Sequence, residues 1–184
     1  MAVIICLLRG VNVGGHNKCP MQELRALCES LKLENPQTYV QSGNVVFRTK
    51  ETNLARLTER FRSAFEKKFG FRPEVMLRTA AEMKTAVARN PFGKQAADEP
   101  AKLALMFLAE KPGRGAEALL AKLPRGREEM RLDGRDLYIY FPEGMGRSKL
   151  PWPTLGEKLG TSGTARNWNT VTTLLEMAEQ AVGG

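Results

Sequence analysis

An unbroken apolar run at positions 3–8, Val-Ile-Ile-Cys-Leu-Leu, places the strongest constraint on the fold. It is bounded by Arg9 and Gly10, and it is much shorter than the roughly 20 residues of a membrane-spanning helix. Such a run is typical of a β-strand buried on both faces. A sheet built around it must be covered on both sides, either by a second domain or by a second copy of the chain, so we expect a two-domain chain or a homo-oligomer.

The residues that follow this run predict a regular alternation of helices and strands. The predicted elements are a helix after Pro20 with apolar residues from Met21 to Leu31, a loop ending at Pro36, strands 38–41 and 45–49 joined by Ser42-Gly43-Asn44, a helix 54–69 ended by Gly70, and a strand 73–79. Their order through residue 79 is strand, helix, strand, strand, helix, strand. This is the split-βαβ or ferredoxin-like arrangement, also called the α/β plait.

The second half predicts the same order. Thr79 and Glu82 form a capping box for a helix over 80–89, and residues 90–101 predict an irregular linker. The elements that follow are a strand 103–109, a helix 116–123, a hairpin of 129–132 and 137–141, a short helix 154–159, an irregular or short extended stretch 161–168, and a last helix through Val182. We predict an α+β protein of two ferredoxin-like domains, 1–79 and 102–184, with a connecting segment 80–101 and an extra C-terminal helix.

Composition excludes several classes of protein. The apolar fraction of 42% excludes a disordered chain. The apolar run near the start lacks the basic flank and cleavage site of a signal peptide, and the three cysteines show no Cys-x-x-Cys spacing. We therefore expect a cytoplasmic protein with reduced thiols and no membrane partner.

The net charge of +8 favours either anionic partners or simple solubility. Residues 1–79 carry 13 Lys and Arg against 7 Glu, so most of the excess lies in the first half. Much of it falls on the predicted helix 54–69, where a charged face exposed to solvent is the ordinary explanation.

The predicted topology brings the first loop and the hairpin turn to one end of the first sheet. Consecutive glycines expose backbone N–H groups there, and Arg9 and Lys18 add positive charge. The candidate ligand-binding residues are Arg9, Gly10, Asn12, Gly14, Gly15, Lys18, Gln41, Ser42, Gly43 and Asn44. They suit a small phosphorylated or nucleotide-like anion, although the glycine spacing matches neither the P-loop nor the dinucleotide fingerprint, and glycines also serve simple chain reversal.

The same geometry in the second half predicts a basic cluster around an aromatic ring. Its candidate ligand-binding residues are Arg147, Lys149, Arg166, Asn167 and Trp168, and Arg89 joins them from the connecting helix. Guanidinium groups and an indole suit a phosphorylated ligand through bidentate hydrogen bonds and stacking. The alternative is that Trp168 belongs to the core and that the arginines cap carbonyls or pair with acids.

Catalytic and metal-binding patterns are weak. No Asp occurs before Asp98, and the sequence indicates no pair of carboxylates as an acid–base pair. His16 and Cys19 lack a residue to orient them as a catalytic pair. We predict no metal site, and the sequence leaves the cofactor and the presence of any reaction undetermined.

Two other functions stay open at this point. Nucleic-acid binding is less favoured because the first strand offers no aromatic side chain for base stacking, although Tyr138 and Tyr140 share one face in the second half. A structural or oligomerising protein with no catalytic activity is the other alternative.

Three blocks of the sequence resemble a known family. They are Leu7-Leu8-Arg9-Gly10-Val11-Asn12-Val13-Gly14-Gly15 with Pro20-Met21 and Leu24, then residues 38–47, and finally Arg166-Asn167-Trp168-Asn169-Thr170-Val171. Together they resemble the bacterial domain of unknown function DUF1697. The resemblance implies two α/β plait domains in a cytosolic bacterial protein and implies no reaction. Cys19 departs from the aliphatic residue expected there, and His16 occupies a position expected to vary among basic or polar residues, which lowers the case for a thiol or imidazole mechanism.

Overall fold

The computed structural model describes residues 1–183 and shows an α+β chain with two four-stranded antiparallel sheets. Gly184, the last residue of the predicted second domain, lies outside the described residues. The chain folds into two units, each with its own sheet. The first unit contains residues 1–85 together with the residues from Leu174 onward, and the second contains Ala86–Thr173. This division differs from the predicted boundaries at residues 79 and 102, most of all in giving the C-terminal end to the first unit.

Residues 1–183 form eight strands and seven α-helices. From the N-terminus they are β1 (Ala2–Arg9), α1 (Met21–Ser30), β2 (Glu34–Tyr39), β3 (Asn44–Thr49), α2 (Leu54–Phe69), β4 (Glu74–Thr79) and α3 (Ala80–Ala88). The chain continues with α4 (Gly93–Asp98), β5 (Leu103–Leu108), α5 (Ala116–Lys122), β6 (Glu129–Asp133), β7 (Asp136–Tyr140), α6 (Leu155–Lys158), β8 (Gly163–Asn167) and α7 (Trp168–Gly183). Within residues 1–183 no helix has both the length and the apolar character needed to cross a membrane.

The two sheets have equivalent strand orders. The first is β2-β3-β1-β4 and the second is β6-β7-β5-β8, and every neighbouring pair is antiparallel. The segment predicted as irregular or short extended is thus a true edge strand, β8. It pairs with β5 from Ala104 opposite Asn167 to Leu108 opposite Gly163.

Both faces of β1 are buried, as its unbroken apolar run predicts. Ile4, Cys6 and Leu8 belong to the cluster that packs under α1 and α2, with Leu24, Leu27, Leu57, Phe61 and Phe65. The alternate residues Val3, Ile5 and Leu7 are at most 6% exposed. Burying a side chain of this size contributes about 1.5–3 kcal/mol, so the strand is a principal source of stability.

In the second unit β5 has the same character, because all six of its residues are buried. Ala104, Met106 and Leu108 pack with Leu120, Ile139, Leu155 and Leu159. On the other face Tyr138 of β7 is 1% exposed, and its hydroxyl donates to the carbonyl oxygen of Ala86 at 2.7 Å.

Two predicted helix ends are confirmed, the start of α3 and the end of α2. Thr79 Oγ1 accepts from the Glu82 N–H at 3.1 Å, and the Glu82 carboxylate accepts from the Thr79 N–H at 2.8 Å, which is the reciprocal pattern of a capping box. Gly70 ends α2 in the left-handed conformation, with φ of 78°.

The prediction of an irregular linker over residues 90–101 is wrong. The segment contains α4 and a 3₁₀ turn, Pro100–Lys102. Phe92 is 5% exposed and its ring lies 6.2 Å from that of Tyr140. The Tyr140 hydroxyl donates to Glu99 at 2.6 Å. These contacts order a segment whose prolines and glycine suggested otherwise.

The prediction that a loop ends at Pro36 is also wrong, because β2 begins at Glu34 and includes this proline. The register shifts between Glu34 and Gln37, and Asn35 has φ of 49°. A proline is tolerated here because β2 is an edge strand and the pairing is interrupted at an irregularity.

Candidate ligand-binding site

The glycine-rich loop and the hairpin turn lie together at one end of the first sheet, as the topology predicts. The backbone N–H of Leu8 donates to the carbonyl oxygen of Gly43 at 2.8 Å. The side chain of Asn12 donates to the carbonyl oxygen of Gln41 at 2.9 Å. We call this region, residues 9–19 with 40–44, the first loop–hairpin end.

Asn12 organises this end. Its Nδ2 also donates to the carbonyl oxygen of Cys19 at 2.9 Å, and its Oδ1 accepts from the Cys19 N–H at 2.8 Å. Asn17 adds a bond from its Nδ2 to the Gly10 carbonyl at 2.8 Å, and its own carbonyl accepts from the Asn12 N–H at 3.0 Å. The Asn12 amide is therefore engaged in shaping the loop.

The side chain of Asn44 organises the hairpin turn in the same way. Its side chain is fully buried, and its Nδ2 donates to the Tyr39 carbonyl and to Ser42 Oγ, both at 2.9 Å. Val40 precedes the turn with φ of 51°, which is a strained value for a β-branched residue, and its side chain is 49% exposed. These side-chain hydrogen bonds hold the turn while Val40 keeps a backbone conformation that its residue type does not favour.

Gly43 marks the closest approach of the two segments. It has φ of 79°, and a Cβ atom built there would lie 2.5 Å from Val11 Cγ2 and 2.8 Å from Leu8 Cβ. Both atoms belong to buried side chains beneath the turn. Only glycine satisfies this backbone and this spacing, so the residue is explained by packing.

Gly14 and Gly15 form the tip of the loop. Their φ angles of 56° and 79°, with the His16 N–H donating to the Val13 carbonyl at 2.9 Å, resemble a two-residue type I′ turn. Across the described chain the N–H groups of the two glycines donate to no other residue. The tip thus offers two exposed backbone donors.

Two side chains of the same loop have no hydrogen-bond or ion-pair partner in the described residues. The imidazole of His16 and the ammonium of Lys18 are exposed and form no hydrogen bond or ion pair with any residue from 1 to 183. Arg9 is half-buried at the end of β1, and in the sheet register it lies directly opposite Glu74 of β4. Lys18 is therefore the cation of this end whose charge is most available to a ligand.

The chemistry of the cysteines argues against a nucleophile. Cys19 is buried, and its burial together with the nearby Glu23 carboxylate raises the pKa of the thiol to about 11. Burial likewise raises the pKa of Cys28 to about 12. Both thiols are protonated and unreactive near neutral pH. In the part of the chain that the structure describes, no group of three or more His, Cys, Asp or Glu side chains could hold a metal ion.

The second predicted cluster does not form around Arg89. Its guanidinium Nη1 lies 3.1 Å from Asp133 Oδ2, at the turn between β6 and β7. In the sheet register that turn lies beside the C-terminal end of β5, whereas β7 and β8 both finish beside its N-terminal end. Arg89 thus sits at the opposite end from the one predicted.

The other residues of the second predicted cluster either are buried or bonded to neighbouring groups, or lie elsewhere on the second unit. Arg166 is 7% exposed, and its Nη1 donates to Thr164 Oγ1 at 2.7 Å and to the Ala165 carbonyl at 2.9 Å. Asn167 Oδ1 accepts from the Thr170 N–H at 2.9 Å at the start of α7. Trp168 is 5% exposed. These three residues therefore fit the alternative given above, in which Trp168 belongs to the core and the polar side chains bond the backbone.

Arg147 and Lys149 are exposed and flank Ser148, whose hydroxyl bonds the buried carboxylate of Glu128 beside the start of β6. In the sheet order β6 and β8 are opposite edges. Ser148 thus lies beside the β6 edge of the sheet, whereas Arg166 lies on the β8 edge.

Comparison with known proteins identifies a family and a similar fold. The model of a family described as "Protein of unknown function (DUF1697)" matches residues 1–138. The structure of a conserved bacterial protein, SP0830 from Streptococcus pneumoniae, is similar with a TM-score of 0.73 and 23% sequence identity, covering 96% of this chain and 98% of that one. No curated protein matches the sequence. At this identity the structural likeness establishes the fold.

Proposed function

Because this chain belongs to the DUF1697 family of proteins of unknown function, we propose a function from its geometry: the first loop–hairpin end binds a small anionic ligand, phosphorylated or nucleotide-like. The observation that carries the proposal is the exposed tip at Gly14 and Gly15, whose backbone N–H groups have no acceptor among residues 1–183. Lys18, exposed and without a partner in the same part of the chain, supplies the charge. Backbone donors beside a free ammonium are a common arrangement for phosphate binding.

The start of α1 supports the same assignment. Its N-cap is Pro20, which provides no side-chain hydrogen bond to the first turn. Helix N-termini carry partial positive charge and unsatisfied N–H groups, so the ten-residue α1 adds a favourable potential to the loop that precedes it. The glycines would contact the anion, Lys18 would neutralise it, and Gln41 and Ser42 would complete the neighbouring wall.

Asn12, Gly43 and Asn44 take a different part in this proposal. Their hydrogen bonds and close packing fix the loop against the hairpin. They therefore act as positioning residues, and Arg9, facing Glu74, contributes charge at the base.

We also propose a more specific fold for each unit and a cellular location for the protein. The βαββαβ order of elements and the strand order of each sheet support two ferredoxin-like plaits. Reduced, buried cysteines support a cytoplasmic location.

Nucleic-acid binding through an aromatic sheet face receives no support from the tyrosines. Tyr138 is buried with its hydroxyl bonded to Ala86, and the Tyr140 hydroxyl is bonded to Glu99. Neither ring is presented as a free stacking platform.

Titration with inorganic phosphate and adenosine monophosphate at low ionic strength, followed by ¹H–¹⁵N correlation spectra, tests the anion site. We expect saturable shifts of the Gly14 and Gly15 amides, and about tenfold weaker binding in Lys18→Gln, equivalent to about 1.4 kcal/mol. Lys50→Gln is the matched control, because Lys50 is an exposed lysine of the same unit without a partner in residues 1–183. Unmoved glycine amides, or equal weakening in the two variants, would disprove the site.

A further inference from the structure

The second unit contains a cavity at the place that corresponds to the first loop–hairpin end. It has a volume of about 510 Å³ and lies between the loop that joins β5 to α5 and the turn that joins β6 to β7. Its walls are residues 111–118 and 132–134. The cavity is open to solvent, and its volume is large enough to hold a small organic ligand.

The backbone explains why the cavity is open. The Leu108 N–H donates to the Arg135 carbonyl at 2.8 Å, which joins the base of the loop to the turn. Beyond that point the chain bends at Ala109 and Glu110, and the loop then closes a small turn in which the Ala116 N–H donates to the Gly113 carbonyl at 3.3 Å. Space therefore remains between loop and turn above their shared base.

The charges around the cavity favour an anion. Lys111 and Arg114 are exposed, and neither has an ion pair or hydrogen bond with any other residue from 1 to 183. Of the two acids in the wall, Asp133 is already paired with Arg89 at 3.1 Å. Glu117 is the other acid, so the surroundings hold three cations, Lys111, Arg114 and Arg89, against two acids.

We propose that this cavity is a second binding site, for a small organic phosphate, with Arg114 and Lys111 holding the phosphate group. A guanidinium matches the oxygens of a phosphate in a bidentate manner, and an ammonium adds a point charge. The cavity exceeds the size of a phosphate alone, so the rest of the ligand lies against Leu132 and Ala118.

The test uses the complete chain titrated with inorganic phosphate, adenosine monophosphate and acetate, with amide shifts as the readout. We expect Gly113, Gly115 and Gly134 to shift saturably with both phosphates, more tightly with the nucleotide and hardly with acetate. Because Gly14 and Gly15 report separately on the first site, failure at either site is seen independently of the other.

A charge-matched pair of variants completes the test. Lys111→Gln with Arg114→Gln should weaken nucleotide binding at this cavity at least tenfold, whereas Lys122→Gln with Arg125→Gln should leave it unchanged. Lys122 and Arg125 are exposed cations of the same unit outside the cavity, without partners in the described chain. Equal weakening in both variants, equal affinity for acetate, or unmoved wild-type glycine amides would overturn the proposal.

Discussion

The two units join a loop to a hairpin turn in the same way, yet they stabilise the junction differently. Leu8 and Leu108 each donate a backbone hydrogen bond of 2.8 Å to the turn beside them. In the first unit side-chain amides then tie the loop down, and Gly43 packs tightly against it. In the second a cavity remains between the loop and the turn. A shared strand order thus fixes where a loop and a turn meet, while a few polar side chains decide whether they close.

The largest expected effect comes from Gly43→Ala. The new Cβ would have to displace Val11 and Leu8, and the residue would keep a left-handed backbone, so we expect a loss of about 3 kcal/mol in the free energy of unfolding. Chemical denaturation measures it.

Gly134→Ala is the control from the other hairpin, because Gly134 also has a positive φ but nothing lies within 4 Å of a Cβ built on it. It should cost only about 1 kcal/mol, which is the strain of the backbone conformation alone. Equal losses in the two variants would show that the close packing of the first turn is unimportant.

Asn12→Ala should have the next largest effect. It removes three hydrogen bonds and leaves the backbone groups of buried Cys19 without their partner, for an expected loss of about 2 kcal/mol. Amide exchange in residues 10–18 should accelerate, while exchange in residues 109–115 stays unchanged. Unchanged exchange in the first loop would contradict the organising role of this asparagine.

The next largest effect is that alkaline pH should destabilise the first unit through its cysteines. All three cysteines lie in residues 1–85, and the folded pKa of Cys19 is about 11 against an ordinary 9.0. A raised folded pKa means that the stabilisation is complete below pH 9 and is lost as the pH rises toward 11, by about 1 kcal/mol per such thiol at pH 10. Cys19→Ala should reduce this slope, measured by denaturation at pH 8 and pH 10. An identical slope in that variant would refute the assignment.

The smallest effect concerns the C-terminal helix. Lys84 lies 3.2 Å from Glu179 within the first unit, and both side chains are at least half exposed. Lys84→Ala should therefore cost less than about 0.5 kcal/mol by thermal or chemical unfolding. A loss above about 1 kcal/mol would show that this ion pair anchors α7 more strongly than exposed pairs do.

Local patterns predicted most elements because they depend on nearby residues. The apolar run of β1, the capping box at Thr79 and the turn at Gly43 are examples. The meeting of loop and hairpin followed from topology alone. The partner of Arg89, the ordering of Phe92 and the bonds of Asn12 depend on which backbone comes near in space, and no local spacing reveals that. The cavity beside Arg114 was missed for the same reason, although the sequence Lys-Pro-Gly-Arg-Gly at 111–115 offered a signal.

The assignment of the residues from Leu174 onward to the first unit has a consequence for synthesis. The N-terminal sheet leaves the ribosome long before the helical segment that completes its unit, and the entire second unit is made in between. Contacts between such distant parts of a chain form slowly. Residues 1–85 therefore reach their final state only after the residues from Leu174 onward have been made.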